Sequence, residues 1–252
     1  MMKKAAFAPC LVLLLACAAS LPATVPAAPS APTAGTRPES NVTTAPDNTK
    51  YLNRPELLPP CAARVAAFKG KSCRIIFIGD SITAGWLTRG KAVWDKYYAR
   101  RDALDFGIGG DRIQNVLWRL ENMDIRDLRP KVAVILIGTN NLSNSPQEIA
   151  DGVKVLLAKT QQVFPGIKII LVSIMPNQRA NQKMMDADEL IRVLPDGDTV
   201  EYLDLVPFMP ALGSNWVGLG PDHLHPDARG YEIWATVMEP ILRHQLQDFD
   251  GN

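Results

Sequence analysis

The chain has 252 residues, 47% of them hydrophobic and 21% charged, which is a globular composition and too little charge for a disordered chain. Lys+Arg 27 against Asp+Glu 26 leaves a formal charge of +1, falling to −1 if a leader containing Lys3 and Lys4 is removed. Neither balance suits nucleic-acid binding through long-range charge. No apolar run reaches the roughly 18–20 residues of a membrane span, and four cysteines are too few for a disulfide framework.

The N-terminus reads as an export signal. Lys3 and Lys4 form a short basic segment, and residues 5–16 are a small-residue, leucine-rich run of signal-peptide length. Leu14-Leu15-Ala16-Cys17 resembles a bacterial lipoprotein box, in which Cys17 becomes the lipidated first residue and Ala18 would not retain it at the inner membrane. The alternative is a plain signal peptide cleaved near Ala18 or Ala19. The expected location is therefore periplasmic, outer-membrane-anchored through one lipid-modified terminus, or secreted. Residues 20–50 are rich in Pro, Ala, Thr and Ser and cannot bury enough surface to offset their ordering entropy, so they read as a tether. The expected division is 1–19 signal peptide, 20–50 tether and 51–252 folded domain.

Cys61 and Cys73 flank a short predicted helix over 62–68. They either form a bridge to the entry of the first strand or remain two partly buried thiols. From Arg74 onward, short apolar runs alternate with amphipathic stretches. Strands are predicted over 74–78, 104–106, 132–137, 167–174 and 200–205. Between them, residues 112–120 place Ile113, Val116, Leu117 and Leu120 on one helical face. Ser145, Pro146 and Glu148 combine an N-cap, a first-turn proline and a capping-box glutamate ahead of the stripe Ile149, Val153, Leu156 and Leu157. Pro226 is expected to open a last helix carrying Tyr231, Trp234, Val237, Met238, Ile241 and Leu242 as core residues. Strand–helix alternation with fully apolar strands predicts an α/β fold with a parallel sheet covered on both faces.

Ligands of such sheets sit outside the carboxyl ends of the strands. There the chain places Gly79-Asp80-Ser81, then Gly107-Ile108-Gly109-Gly110-Asp111, then Gly138-Thr139-Asn140-Asn141, and late in the chain Asp222-His223-Leu224-His225. This inventory suits acyl transfer. A serine needs a base in reach, and the base needs an orienting partner. The three histidines are His223, His225 and His244. His244 lies at the end of the last helix, so the base is His225 or His223, and Asp222 reaches the ring of His225 more readily than that of its immediate neighbour. Gly110 can present a bare N–H, and the Asn140 amide a second donor, to a tetrahedral oxyanion. Each residue also has a structural use: Ser81 as a helix cap, the glycines and Asn140 as turn residues, and Asp222 with the two histidines as metal ligands. No further Cys/His cluster completes a metal shell, and no cofactor is expected. The α/β-hydrolase elbow fails at Thr83. The dinucleotide fingerprint lacks its third glycine.

Gly79-Asp80-Ser81-Ile82 resembles the GDSL block with Ile for Leu, and Gly110, Asn140 and Asp222-x-x-His225 complete the block order of the SGNH/GDSL hydrolase superfamily. The stretches 106–111, 116–120 and 138–141 look like the platelet-activating-factor acetylhydrolase Ib catalytic subunits and their bacterial relatives. The resemblance implies a flavodoxin-like three-layer α/β/α sandwich with five parallel strands. It implies Ser81 as nucleophile, with its own N–H beside Gly110 and Asn140 in the oxyanion hole, His225 as base and Asp222 as its orienter. Asp105 departs from the asparagine many relatives carry before Phe-Gly, a position that supports the glycine turn. The expected function is a serine esterase removing short acyl groups, acetyl first, from an O-acetylated glycan. The alternatives are a lysophospholipase or lipid acetylhydrolase, and behind these an acyltransferase or a non-catalytic binding lipoprotein. Residues 85–97 and 176–194 are read as loops that shape the acyl and alcohol pockets.

Overall fold

The computed structural model describes residues 44–247. The expected leader, the lipobox cysteine and the tether up to residue 43 lie outside the described residues. In chain order the elements are α1 (Thr49–Asn53), α2 (Leu58–Ala66), β1 (Ile75–Gly79), α3 (Ser81–Ala84), α4 (Lys91–Tyr97), β2 (Ala103–Asp105), α5 (Ile113–Asn122), β3 (Val132–Leu136), α6 (Pro146–Val163), β4 (Lys168–Val172), α7 (Asn181–Ile191), β5 (Val200–Leu203), the two-residue strands β6 (Ala211–Leu212) and β7 (Asn215–Trp216), and α8 (Ala228–Leu246). The first five strands form one all-parallel sheet in the order β2-β1-β3-β4-β5.

Both faces of the sheet are covered, which is why its central strands β1 and β3 are apolar and buried throughout. Alternate residues of a strand point to opposite faces. Ile76, Ile78, Ala133, Ile135, Ile169 and Leu171 therefore pack with α2, α5, α6 and α7, while Ile75, Phe77, Val132, Val134, Leu136 and Ile170 pack with α3, α4 and α8. The second layer is aromatic. Trp86, with its neighbours Phe77, Tyr98, Tyr231 and Trp234, forms ring contacts with centroids 4.6–5.9 Å apart, within the favourable range for tilted and edge contacts. From this cluster the Tyr231 hydroxyl donates to the Ile82 carbonyl at 2.7 Å, tying α8 to the turn that holds Ser81.

The α6 start follows its sequence signature: Ser145 Oγ accepts from Glu148 N at 3.3 Å, and Ser145 N donates back to Glu148 Oε2 at 2.7 Å. Two expectations need correction. The last helix starts at Ala228, not Pro226. Asp227 takes the N-cap by accepting from Gly230 N at 2.9 Å, while Pro226 is held in a bridge with Leu219. The segments read as loops are largely helical, as α4 and α7. Met184, Ala187 and Ile191 of α7 are buried at helical spacing between polar neighbours, and no side chain caps its start, so the usual signal is missing. Of the two alternatives open for Cys61 and Cys73, the structure has two separate buried thiols. Cys61 faces the Arg119 guanidinium at 3.9 Å, and Cys73 points at the Ile75 carbonyl at 3.6 Å. Burial raises both thiols, Cys73 to about 12.

Candidate active site

Strand β1 lies between β2 and β3, where the winding direction of the sheet reverses, so the crevice beyond the ends of β1 and β3 is the expected ligand position. Asp80 leaves β1 and caps α3, accepting from Ile82 N at 2.8 Å. Because Asp80 performs the capping, the Ser81 hydroxyl is not needed for it. Ser81 Oγ lies 2.8 Å from His225 Nε2, and His225 Nδ1 lies 2.8 Å from Asp222 Oδ2. With Nδ1–H donating to the carboxylate, Nε2 is left to accept the serine proton, a tautomer assigned from this network.

The loop carrying Asp222 and His225 explains how residues three apart meet. Asp222 Oδ1 accepts from Leu224 N at 3.2 Å and His225 N at 3.0 Å, folding the loop back on itself. His223 takes the strained left-handed conformation, φ 52°. Partial burial pushes the Asp222 carboxyl up, but the N–H groups of His225 and Leu224 and the His225 ring outweigh this and hold it at about 2. Arg89 Nη2 stands 3.5 Å from Asp222 Oδ2. His223 sits in the same loop, its Nδ1 buried with no partner among the described residues. His244 is on the last turn of α8. Among the described residues, no group of three or more His, Cys, Asp or Glu side chains is arranged to hold a metal ion.

The glycine turn after β2 passes beside Ser81. A Cβ on Gly107 would stand 2.4 Å from the Ala84 nitrogen, so the turn can pass α3 only as glycine. Gly110 has φ +74°, a conformation other residues adopt at a cost. Its N–H has no acceptor among the described residues, and the Ser81 N–H, at the start of a helix, has none within that helix. The Asn140 amide is placed differently. Its nitrogen lies 3.1 Å from Asp80 Oδ2 and 3.0 Å from the Asp111 carbonyl, so a substrate oxygen would compete with both for its protons. Burial pushes Asp80 up to about 7, opposed by the Ile82 N–H and reinforced by Asp111. A neutral Asp80 competes less for that amide.

Beneath the turn lies a polar cluster whose two cations, Arg64 and Arg119, residue pattern alone does not single out. Asp105, at the departure from the asparagine of relatives, accepts from Gly107 N at 2.7 Å and so makes the turn's supporting bond, but its second oxygen is buried without a partner. Arg64 donates to the Asp105 and Gly107 carbonyls at 2.7 Å each. Arg119, fully buried, reaches Asp111 Oδ2 at 2.8 Å, the Phe106 carbonyl at 2.5 Å and the Gly79 carbonyl at 3.2 Å. Its stretch, residues 116–120, stands out by resemblance, but helical periodicity alone makes Arg119 an interruption of an apolar face.

The model of the GDSL-like Lipase/Acylhydrolase family matches residues 77–233, which contain all of these strand-end groups. The chain belongs to that family. As a GDSL-like acylhydrolase it is a carboxylic ester hydrolase. It is 31% identical over 193 residues to the platelet-activating factor acetylhydrolase IB subunit alpha1 of Rattus norvegicus, spanning 74% of this chain and 82% of that protein. With subunit alpha2 of Bos taurus it shares 35% over 184 residues, 71% of this chain and 77% of that one. Among solved structures, a putative platelet activating factor from Streptococcus pneumonia superposes with a TM-score of 0.61 at 18% identity, over 77% of this chain and 97% of that one. The acetylxylan esterase Axe2 of Geobacillus stearothermophilus gives 0.52 at 18% identity, over 69% and 93%. At that identity the two structures show a shared fold. The parallel sheet and its two helical layers agree with the sandwich expected of a GDSL-like hydrolase.

Proposed function

We propose that this GDSL-like hydrolase is an exported serine esterase that removes acetyl groups from O-acetylated glycans through a covalent acyl-Ser81 intermediate. The reading rests on the continuous hydrogen-bonded line from Ser81 Oγ to His225 and Asp222, each step 2.8 Å. As Ser81 Oγ attacks the ester carbon, His225 Nε2 takes its proton, and Asp222 stabilises the imidazolium. The tetrahedral oxyanion receives the free N–H groups of Gly110 and Ser81, with Asn140 as the third donor. His225 returns the proton to the departing alcohol, then deprotonates the water that releases the acid and restores Ser81.

Acetyl is the group common to the names of the acetylhydrolase relatives and the acetylxylan esterase neighbour. The basic, leucine-rich N-terminus favours an extracytoplasmic polymer as the alcohol. The acetylhydrolase relatives support a second reading, a lipid acetylhydrolase. Hydrolysis of p-nitrophenyl esters of two, four and eight carbons, with acetate release from acetylated xylan and from a glycerophospholipid acetate run beside it, separates the two. Fastest turnover of the two-carbon ester with release from xylan supports the glycan reading. Preference for eight carbons, or release from the lipid alone, overturns it.

A further inference from the structure

The oxyanion turn is held from outside the family-matched region, by residues that precede β1 by more than twenty positions. Lys50 Nζ donates to the Gly109 carbonyl at 2.7 Å and to Asp111 Oδ1. Tyr51 OH lies 2.7 and 2.8 Å from the two oxygens of the same carboxylate. The segment itself is anchored: Asp47 N donates to the Gln114 carbonyl at 3.0 Å, Asn115 Nδ2 donates to the Asp47 carbonyl at 3.0 Å, and Arg112 pairs with Asp47 at 3.2 Å. Tyr51 is buried, its ring 5.4 Å from that of Trp118.

These contacts converge on the two residues that bracket Gly110. Lys50 grips Gly109 on one side, and Asp111 on the other is gripped by Lys50, Tyr51 and Arg119 at once. Lys50 Nζ stands 3.8 Å from where a Cβ on Gly110 would be. Gly109 and Gly110 are exposed, and with no side chains they have no packing of their own to fix the peptide between them. Two cations, Lys50 and Arg119, face the one Asp111 carboxylate and hold it through both of its oxygens.

We infer that Lys50 and Tyr51 form a clamp that fixes the oxyanion turn, making them positioning residues for the esterase reaction supplied by the segment before the family core. Such a clamp acts on an interaction realised in the transition state, so its loss lowers kcat and kcat/KM together and leaves KM unchanged. Loss of a whole oxyanion donor costs about 10²–10³ in kcat. A donor that is present but loosely held costs less, on the order of tenfold, with Tyr51→Phe milder because Lys50 and Arg119 remain on Asp111.

The inference rests on the proposed esterase function, and its test has an arm that does not. The full chain and its Lys50→Met, Lys50→Arg and Tyr51→Phe variants are compared in kcat and KM on p-nitrophenyl acetate, and in amide exchange across residues 107–111. The expected result is a tenfold or larger fall in kcat for Lys50→Met at unchanged KM, recovery in Lys50→Arg, and faster exchange of the turn in Lys50→Met and Tyr51→Phe while β3 and β4 keep wild-type protection. Wild-type exchange of the turn in both variants overturns the clamp, whatever the activity. So does a kcat within twofold of wild type in Lys50→Met. A wild-type chain without esterase activity would defeat the proposed function instead, and turn exchange would still decide the clamp.

Discussion

Asp105→Asn isolates the energetic consequence of a carboxylate under the glycine turn. Asp105 is buried, its Oδ1 holds Gly107 N, and its Oδ2 has no partner. Burial pushes it up to about 7, against the Gly107 N–H and the nearby Arg64 and Arg119, whereas an unfolded aspartate titrates near 3.9. Between those values the folded protein holds a proton that the unfolded chain has lost, so stability falls as pH rises from about 4 to about 7. Three pH units correspond to about 4 kcal/mol, of which roughly 2–3 kcal/mol is lost between pH 5 and pH 8. Asparagine keeps the acceptor for Gly107 and removes the titration. The stability difference between variant and wild type should therefore shift in the variant's favour by roughly 2–3 kcal/mol from pH 5 to pH 8. For a domain of this size that is a relative gain of roughly 5–10 °C in Tm. Urea unfolding at pH 5, 6.5 and 8 measures it. A difference that does not change with pH would refute the argument that burial, rather than the turn geometry alone, governs this site.

Arg119→Met removes the guanidinium that ties Asp111 to the Phe106 and Gly79 carbonyls. Breaking a buried pair by deleting one partner costs about 3–5 kcal/mol, to be read as a lowered urea midpoint. Gly107→Ala drives a Cβ to 2.4 Å from the Ala84 nitrogen; it should displace the turn from α3 and reduce kcat on an acetyl ester far more than it raises KM. Asp222→Asn replaces a carboxylate that is ionised at every working pH, since it is held at about 2. The expected loss is roughly 10³–10⁴ in kcat, read as the ratio of variant to wild-type turnover of p-nitrophenyl acetate at pH 8.

The central sheet was legible because β1, β3 and most of β4 are apolar on both faces, and α6 because Ser145, Pro146 and Glu148 write its start within four positions. Ser81, Asp222 and His225 were legible because strand ends are where a parallel sheet places ligands, and the structure brings all three together. The helix α7 was not, since its buried Met184, Ala187 and Ile191 are embedded in a polar sequence without a cap. The grip of Lys50 and Tyr51 on Asp111 spans some sixty positions of chain, and no local periodicity reports such a contact. Arg119 illustrates the same limit: its buried charge is sensible only once Asp111 and the two carbonyls are seen to converge on it. The competition of Asp80 and Asp111 for the Asn140 amide is likewise a matter of packed geometry that residue types alone do not contain.

The claim at the centre of this account is that Ser81, activated by His225, is the atom that takes the acyl group. Labelling the full chain with a fluorophosphonate ester probe, followed by peptide mass mapping, addresses it directly. The account predicts a single adduct on Ser81, formed in step with loss of esterase activity and slowed by orders of magnitude in His225→Ala. An enzyme that hydrolyses esters while Ser81 stays unlabelled, or that labels equally fast without His225, would contradict it.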